Sequence, residues 1–445
     1  MTHTLIYPHT SRHNDAGHLE IGGCDVVALA DTFGTPLFVY DEQTLRDQCR
    51  AYVAAFAGLT PAARVVYASK AFSCRALIEL VAQEGLAVDV ASGGELAAAR
   101  AAAYPPADIF FHGNNKTAAE LALALDYGIG YVVVDSFSEI AALDAAAGRR
   151  GVVQKVLVRI TPGVTPATHP AVQTGQPDSK FGFGLTAGQA AEALSLCLAA
   201  GHLEPVGVHA HIGSQIFDLS SYRREVEVLM GTLAEWRAAL SFDCRLLNLG
   251  GGLGIRYTAR DQPSSIAELA AVVLAAVAGE AARHEMTPPT ILVEPGRSIA
   301  GTAAVTLYRV GTIKAVPGGH TYVAVDGGMS DNIRPMLYGS RYEAMIGNRA
   351  EVAASFEATV VGKHCESGDV LVRDVMIAPP ELGDVLVTPG TGAYGYAMAN
   401  NYNGQPRPAV VMVAGGAAHV IIARETWDDV LRLQQPLAGA AVVLD

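Results

Sequence analysis

The chain is short of charge. Only 17% of its 445 residues are Asp, Glu, Lys or Arg, and 50% are hydrophobic; a soluble protein averages about 25% charged. That balance excludes an intrinsically disordered chain, which needs low hydrophobicity and high charge. Positive charge is the scarcer sign, with 31 Lys and Arg against 44 Asp and Glu and a net charge of −13. A nucleic-acid partner calls for a basic surface, so none is expected. Long apolar runs are missing as well. The longest helix-like one, Leu269–Gly279, is bounded by Glu268 and Glu280, well short of the ~20 residues of a membrane span, so no membrane partner is expected. Met1–Glu20 is polar and lacks the apolar core of a secretory leader. The six cysteines, at positions 24, 49, 74, 197, 244 and 365, form no CxxC and no tight pattern. This argues for free thiols in a reducing cytoplasm and against a disulfide framework or a zinc site. No internal repeat or low-complexity linker is present.

What is present is an alternation. From Ala63 to about Ala300, short β-branched runs alternate with Ala/Leu-rich stretches. The runs are Arg64–Ser69, Leu86–Ala91, Asp108–His112, Tyr131–Asp135, Lys155–Ile160, Pro205–His211, Leu246–Leu249 and Thr290–Glu294. Continuous apolar runs of this length read as strands buried on both faces. Between them, segments such as Ser73–Gln83 carry helical spacing, with Leu77, Leu80 and Val81 on one face. Strand and helix in alternation imply parallel βαβ units, and eight of them predict a closed (β/α)8 barrel of the TIM type, with a doubly wound open sheet as the alternative. After Gly301 the strands come without long helical partners and with turn residues between them, which predicts an antiparallel β domain. Leu37–Asp41, before the barrel, is a candidate to join that sheet. The expected division is a barrel over 42–300 and a β domain built from 1–41 and 301–445.

The polar residues gather at the ends of the predicted strands. These ends read Ser69-Lys70, Ser92–Glu95, His112–Asn115, His211–Ser214, Gly250–Gly252 and Glu294–Arg297, and a barrel places its active site at the C-terminal ends of its strands. Lys70 there is a candidate Schiff-base lysine, activated by desolvation, or a lysine that snorkels to solvent. The triple glycine lets backbone N–H groups approach a phosphate, or is a plain turn. Arg297 is a cation for a phosphate or carboxylate, and Glu294 is a carboxylate for a ring nitrogen. Lysine, phosphate cradle and acidic partner are together what pyridoxal 5'-phosphate requires. Of the two histidines near the end of the sixth run, only one is expected in the site; we take His211 there and read His209 as a hydrogen-bonded core residue. Arg334 and Tyr338, one helical turn apart, are either a second polar pair of the site or a surface pair.

These motifs resemble those of the diaminopimelate decarboxylase family, in the alanine racemase-like group of pyridoxal enzymes. The resemblance runs from about Phe33 to Leu433. It is carried by Tyr67-Ala68-Ser69-Lys70-Ala71, HGNNK at His112–Lys116, HIGSQ at His211–Gln215, GGGLG at Gly250–Gly254, EPGR at Glu294–Arg297, Arg334-Pro335 with Tyr338, CESGD at Cys365–Asp369, and Gly392-Ala393-Tyr394, all in the family's order. Val410 departs from it, standing where many relatives carry Glu. The resemblance implies that Lys70 bears the cofactor and that His211 stacks on its ring. Ser214, Gly251, Gly252, Gly296, Arg297 and Tyr394 would surround the phosphate, and Glu294 would pair with the ring nitrogen. Cys365 would be the proton donor, and Arg297, Arg334, Tyr338, Glu366 and Tyr394 would contact substrate. It also implies a homodimer in which Cys365 and Glu366 reach the partner's site.

The implied reaction is decarboxylation of meso-diaminopimelate to L-lysine, the last step of lysine biosynthesis. An Arg for a distal carboxylate and a Glu for a distal ammonium suit that substrate. A buried Arg left without its carboxylate is costly, so substrates lacking one should be rejected on the order of 10³-fold or more. The alternatives are a sister decarboxylase acting on ornithine, arginine or carboxynorspermidine, a racemase of the same architecture, and a non-enzymatic binding homologue. No metal site is expected. The Pro, Thr and Gly content of Thr165–Phe181 suggests a mobile cover over the site.

Overall fold

The computed structural model describes residues 6–57, 63–164 and 179–437. The proposed cover at Thr165–Phe181 falls for the most part at 165–178, outside the described residues. The chain separates into two compact units. One comprises Met1–His9, Glu42–Ala303 and Gly392–Ala397; the other comprises Thr10–Asp41, Ala304–Thr391 and Met398–Asp445.

The first unit is a closed barrel. Its parallel strands are Arg64–Ala68, Ala87–Val90, Ile109–Phe111, Tyr131–Val134, Gln154–Thr161, Leu203–His209, Leu246–Asn248 and Thr290–Val293. Each pairs with the next, and the eighth returns to the first through Leu292–Arg64 and Val293–Val65. That closure removes the open-sheet alternative. The eight strands coincide with the eight apolar runs to within a few residues. Their inward side chains fill the barrel: Val66, Ala87, Phe110, Val133, Leu157, Val206 and Leu292 form one buried cluster, with Leu246 packed on it. The helices start where the sequence caps them. Ser92 and Ser136 accept from the backbone N–H of Glu95 and Glu139, and Thr117–Glu120 and Ser265–Glu268 are reciprocal capping boxes. In the helix Ile266–Arg283, Leu269, Ala270, Val273, Val277 and Ala281 are buried. No helix among the described residues is long and apolar enough to cross a membrane.

The second unit is a sheet in the order Val370–Ile377, Phe356–Val361, Thr321–Val325, Ala304–Ala315, Leu37–Asp41, Ala409–Ala414, Ala417–Ile422, with Val385–Pro389 paired to Ala304–Ala315. Leu37–Asp41 is buried throughout and does join this sheet. Most pairings are antiparallel, as the turn-rich sequence predicts. Two are parallel: Leu37–Asp41 with Ala409–Ala414, and Thr321–Val325 with Phe356–Val361. Neither pair is joined by a hairpin, so nothing local forces them antiparallel. Val410, the departure from the family pattern, is buried in this sheet. Three short strands, Arg12–His13, Leu19–Ile21 and Cys24–Asp25, form a separate small sheet that the hydrophobic pattern did not reveal.

Candidate active site

Side chains on a strand repeat their direction every second residue. Two residues beyond the apolar cluster, the same inward face turns polar on strand after strand. Ala87 leads to Asp89, Phe110 to His112, Val133 to Asp135, Leu157 to Arg159, and Leu292 to Glu294; Asn248 follows Leu246 likewise. The sixth strand joins them by an irregularity. Its register shifts between Pro205 and Gly207, which brings His209 opposite both Arg159 and Asn248. All seven polar residues are buried. They form the floor of a pocket at the C-terminal end of the barrel.

Glu294 is the hub of this floor. Its Oε1 accepts from Asn248 Nδ2 at 2.7 Å and lies 2.9 Å from Nε2 of His112; its Oε2 lies 3.2 Å from Nε2 of His209. Burial disfavours the charged carboxylate, but the two histidines outweigh it and hold Glu294 well below the usual carboxylate range. Asp89, buried close to that charge, is pushed well above the usual range, first by burial and then by Glu294, with Lys70 opposing. Asn248 Oδ1 accepts from the N–H of Gly250 at 2.9 Å, tying the glycine turn to the same floor.

Lys70 sits just past the first strand, in the short turn Ser69–Ala71, and its side chain is exposed. Ser69 beside it is anchored, its N–H to Asp89 Oδ1 at 3.2 Å and its hydroxyl to Glu95 at 2.8 Å. His211 lies beyond the end of the sixth strand. Burial and the charges of Lys70 and Arg159 drive its pKa well down, and its Nδ1 accepts from the N–H of Gly251 at 3.3 Å. The expectation that only one of His209 and His211 reaches the pocket is corrected. Side chains two apart on a strand point the same way, so alternation does not separate the two histidines.

Arg297 donates from Nε and Nη2 to Ser214 Oγ at 3.2 and 2.9 Å, and from Nη1 to the hydroxyl of Tyr257 at 2.5 Å. Its guanidinium also lies over the Tyr394 ring, 4.7 Å from the centroid. Tyr394 is held by its backbone, whose N–H donates to Ala71 O at 2.8 Å, with φ at +58°. The glycines are obligatory for close approach: a Cβ at Gly251 would stand 2.1 Å from Glu294 O, one at Gly252 would stand 2.4 Å from Gly213 O, and one at Gly296 would stand 2.9 Å from Ala68 Cβ.

Arg334, Tyr338, Cys365 and Glu366 belong to the second unit. Arg334–Tyr338 is one short helix, as their spacing predicts, with Arg334 buried and hydrogen-bonded to the hydroxyl of Tyr342. The turn carrying Cys365 and Glu366 is pinned by Asp369. Its Oδ2 takes the N–H of His364 at 2.9 Å and lies 2.8 Å from the ring Nδ1, and its Oδ1 takes the N–H of Met329 at 2.6 Å. Cys365 donates its own N–H to Asn403 and is exposed.

The donor set fits pyridoxal phosphate. An amine at Lys70 suits the aldehyde, and an ionised, buried carboxylate at Glu294 suits a protonated ring nitrogen. The Ser214 hydroxyl, the Arg297 guanidinium and a backbone without side chains at Gly251, Gly252 and Gly296 suit a phosphate. His112 was read among the polar strand ends but given no role; Asp89, Asp135, Arg159, His209, Asn248 and Tyr257 were not singled out from sequence as site residues, although for Asp89, Asp135, Arg159 and Asn248 a polar residue two positions after a core residue was there to be read.

Residues 42–301 match the family described as pyridoxal-dependent decarboxylase, pyridoxal binding domain. The diaminopimelate decarboxylase of Bacillus subtilis is 50% identical over 427 residues, covering 96% of this chain and 97% of its own. The solved diaminopimelate decarboxylase of M. jannaschii superposes with a TM-score of 0.90 at 34% identity, over 97% of this chain and 98% of that one. A second structure of the same enzyme, in complex with L-lysine, has the same score and identity. Across its barrel, its glycine cradle and nearly its whole length, the chain belongs to the diaminopimelate decarboxylases of the pyridoxal-dependent decarboxylase family.

Proposed function

We propose that the chain uses pyridoxal phosphate to convert meso-diaminopimelate to L-lysine and carbon dioxide, the closing step of lysine synthesis. The observation that carries this is the convergence of Lys70, Glu294 and the Ser214–Arg297 pair on the C-terminal end of one barrel. Pyridoxal phosphate supplies an electron sink for the pair released when the carboxylate leaves. Lys70 would hold the cofactor through its aldehyde. Glu294 would pair with the protonated ring nitrogen, and His211 would pack against the ring. Ser214, Arg297, Tyr394 and the backbone at Gly251, Gly252 and Gly296 bind the phosphate.

Cys365 delivers the proton to the carbon that has lost its carboxylate. Support for that role is its exposure: of the six cysteines, the other five are buried. Arg334 receives the distal carboxylate and Glu366 the distal ammonium, with Tyr338, Arg297 and Tyr394 completing the substrate contacts. We further propose a cytoplasmic homodimer in which Cys365 and Glu366 of each chain serve the barrel of the other. Six free thiols suit a reducing compartment.

The test is a substrate panel with chiral analysis of the product. L-Lysine released from meso-diaminopimelate should exceed turnover of ornithine or arginine on the order of 10³-fold. Comparable rates on ornithine would overturn the assignment.

A further inference from the structure

His209 reads as core from its position in a strand, and it is indeed buried. Its surroundings are not those of a core filler. The register shift at Pro205–Gly207 turns it inward, level with Arg159 and Asn248. Its Nε2 then meets Oε2 of Glu294 at 3.2 Å, while Asn248 holds Oε1. Its Nδ1 is buried with no hydrogen-bond partner. An orphaned buried nitrogen is a standing cost that a leucine or phenylalanine here would avoid. The ring is thus retained for what Nε2 does. Burial pushes its pKa down to about 3, against the pull of Glu294, so at neutral pH the ring carries no charge. With Nδ1 unpartnered, its single proton belongs on Nε2, donated to the carboxylate.

We propose that His209 is a positioning residue for the reaction: with Asn248 on the other oxygen, its Nε2–H fixes the Glu294 carboxylate in one orientation, ionised and ready for the proton on the cofactor's ring nitrogen. This rests on the reading of Glu294 as the partner of that nitrogen. A neutral donor suits the task, because a charged imidazolium at 3.2 Å would compete with the cofactor for the same carboxylate. Its effect falls on the electron sink and not on substrate binding.

The test is a double-mutant cycle on the holoenzyme with His209→Leu, Glu294→Gln and the pair, reading two signals. One is the pH at which the near-visible absorbance of the Lys70-bound cofactor titrates; the other is kcat against KM. His209→Leu should move the absorbance titration by about one pH unit or more and lower kcat about tenfold or more with KM little changed, the scale of one hydrogen bond to a charged group. In the Glu294→Gln background it should do nothing further. His209→Gln, which keeps an N–H donor, should recover most of the loss, and His209→Phe provides a second donorless variant if His209→Leu does not fold. Effects that add in the double variant, or a donorless variant that changes thermal stability but neither signal, would overturn the proposal. If Glu294→Gln itself leaves the absorbance titration and kcat unchanged, the reading of Glu294 fails first, and the proposal with it.

Discussion

Arg297 sets two of its guanidinium nitrogens on one hydroxyl, Ser214 Oγ, and the third on the hydroxyl of Tyr257. Ser214 and Arg297 stand 83 positions apart, past the ends of the sixth and eighth strands, and the pairing of both with the seventh strand brings them together. A hydroxyl beside a fixed guanidinium suits a phosphate oxygen.

The first prediction follows from that geometry. Ser214→Ala should weaken pyridoxal phosphate binding about tenfold, the value of one hydrogen bond to a charged group. Arg297→Leu should weaken it about 100-fold, because it also removes a charge and leaves two hydroxyls without their donor. Equilibrium titration of cofactor-free protein with pyridoxal phosphate measures both. Unchanged affinity in Arg297→Leu would place the phosphate elsewhere.

The barrel was legible because each strand is a continuous apolar run, and the first, Arg64–Ala68, lies within its predicted range. The strand ends were legible because Lys70 and Glu294 interrupt such runs. His209 was harder. Counted from the core residue Val206, simple alternation turns it away from the pocket, and the register shift that brings it to Glu294 leaves no mark in the residue pattern. Asn248 was missed for another reason: it sits inside the seventh run, not at its end, and a single polar residue there reads as strand. The parallel pairing of Leu37–Asp41 with Ala409–Ala414 joins segments some 370 residues apart, beyond the reach of any local signal.

A second prediction concerns a group outside the pocket. Glu225, on the helix Ser220–Leu240, is fully buried, and neither carboxylate oxygen has a hydrogen-bond partner. Burial raises its pKa well above the usual value. The folded chain therefore keeps a proton that the unfolded chain releases near pH ~4.3. Because the folded state binds more protons, stability falls as the pH rises above that point. Glu225→Leu removes this liability. It should stabilise the protein by about 1–3 kcal/mol at pH 7, and by progressively less as the pH falls toward ~4.3. Thermal unfolding of the two proteins across that range measures the gap. A gap that stays constant with pH would mean that the carboxyl ionises in the folded state as readily as in the unfolded one.

The last prediction tests the shared site. Burial pushes the thiols of Cys49, Cys197 and Cys244 up to about 12 and that of Cys74 to about 11, and Cys24 is also buried and raised. None of these five suits proton delivery at neutral pH, which leaves the exposed Cys365. Lys70→Ala and Cys365→Ala should each be inactive as homodimers. If Cys365 serves the partner's barrel, a heterodimer of the two has one site with both residues intact and one with neither. An equal mixture that has exchanged subunits freely should then regain about a quarter of wild-type activity, since half the dimers are mixed and half their sites are whole. If Cys365 served its own barrel, every site in the mixture would lack one of the two residues and no activity would return. Native mass spectrometry of the mixture establishes that exchange has occurred, so an inactive, fully exchanged sample would mean that each site is built from one chain.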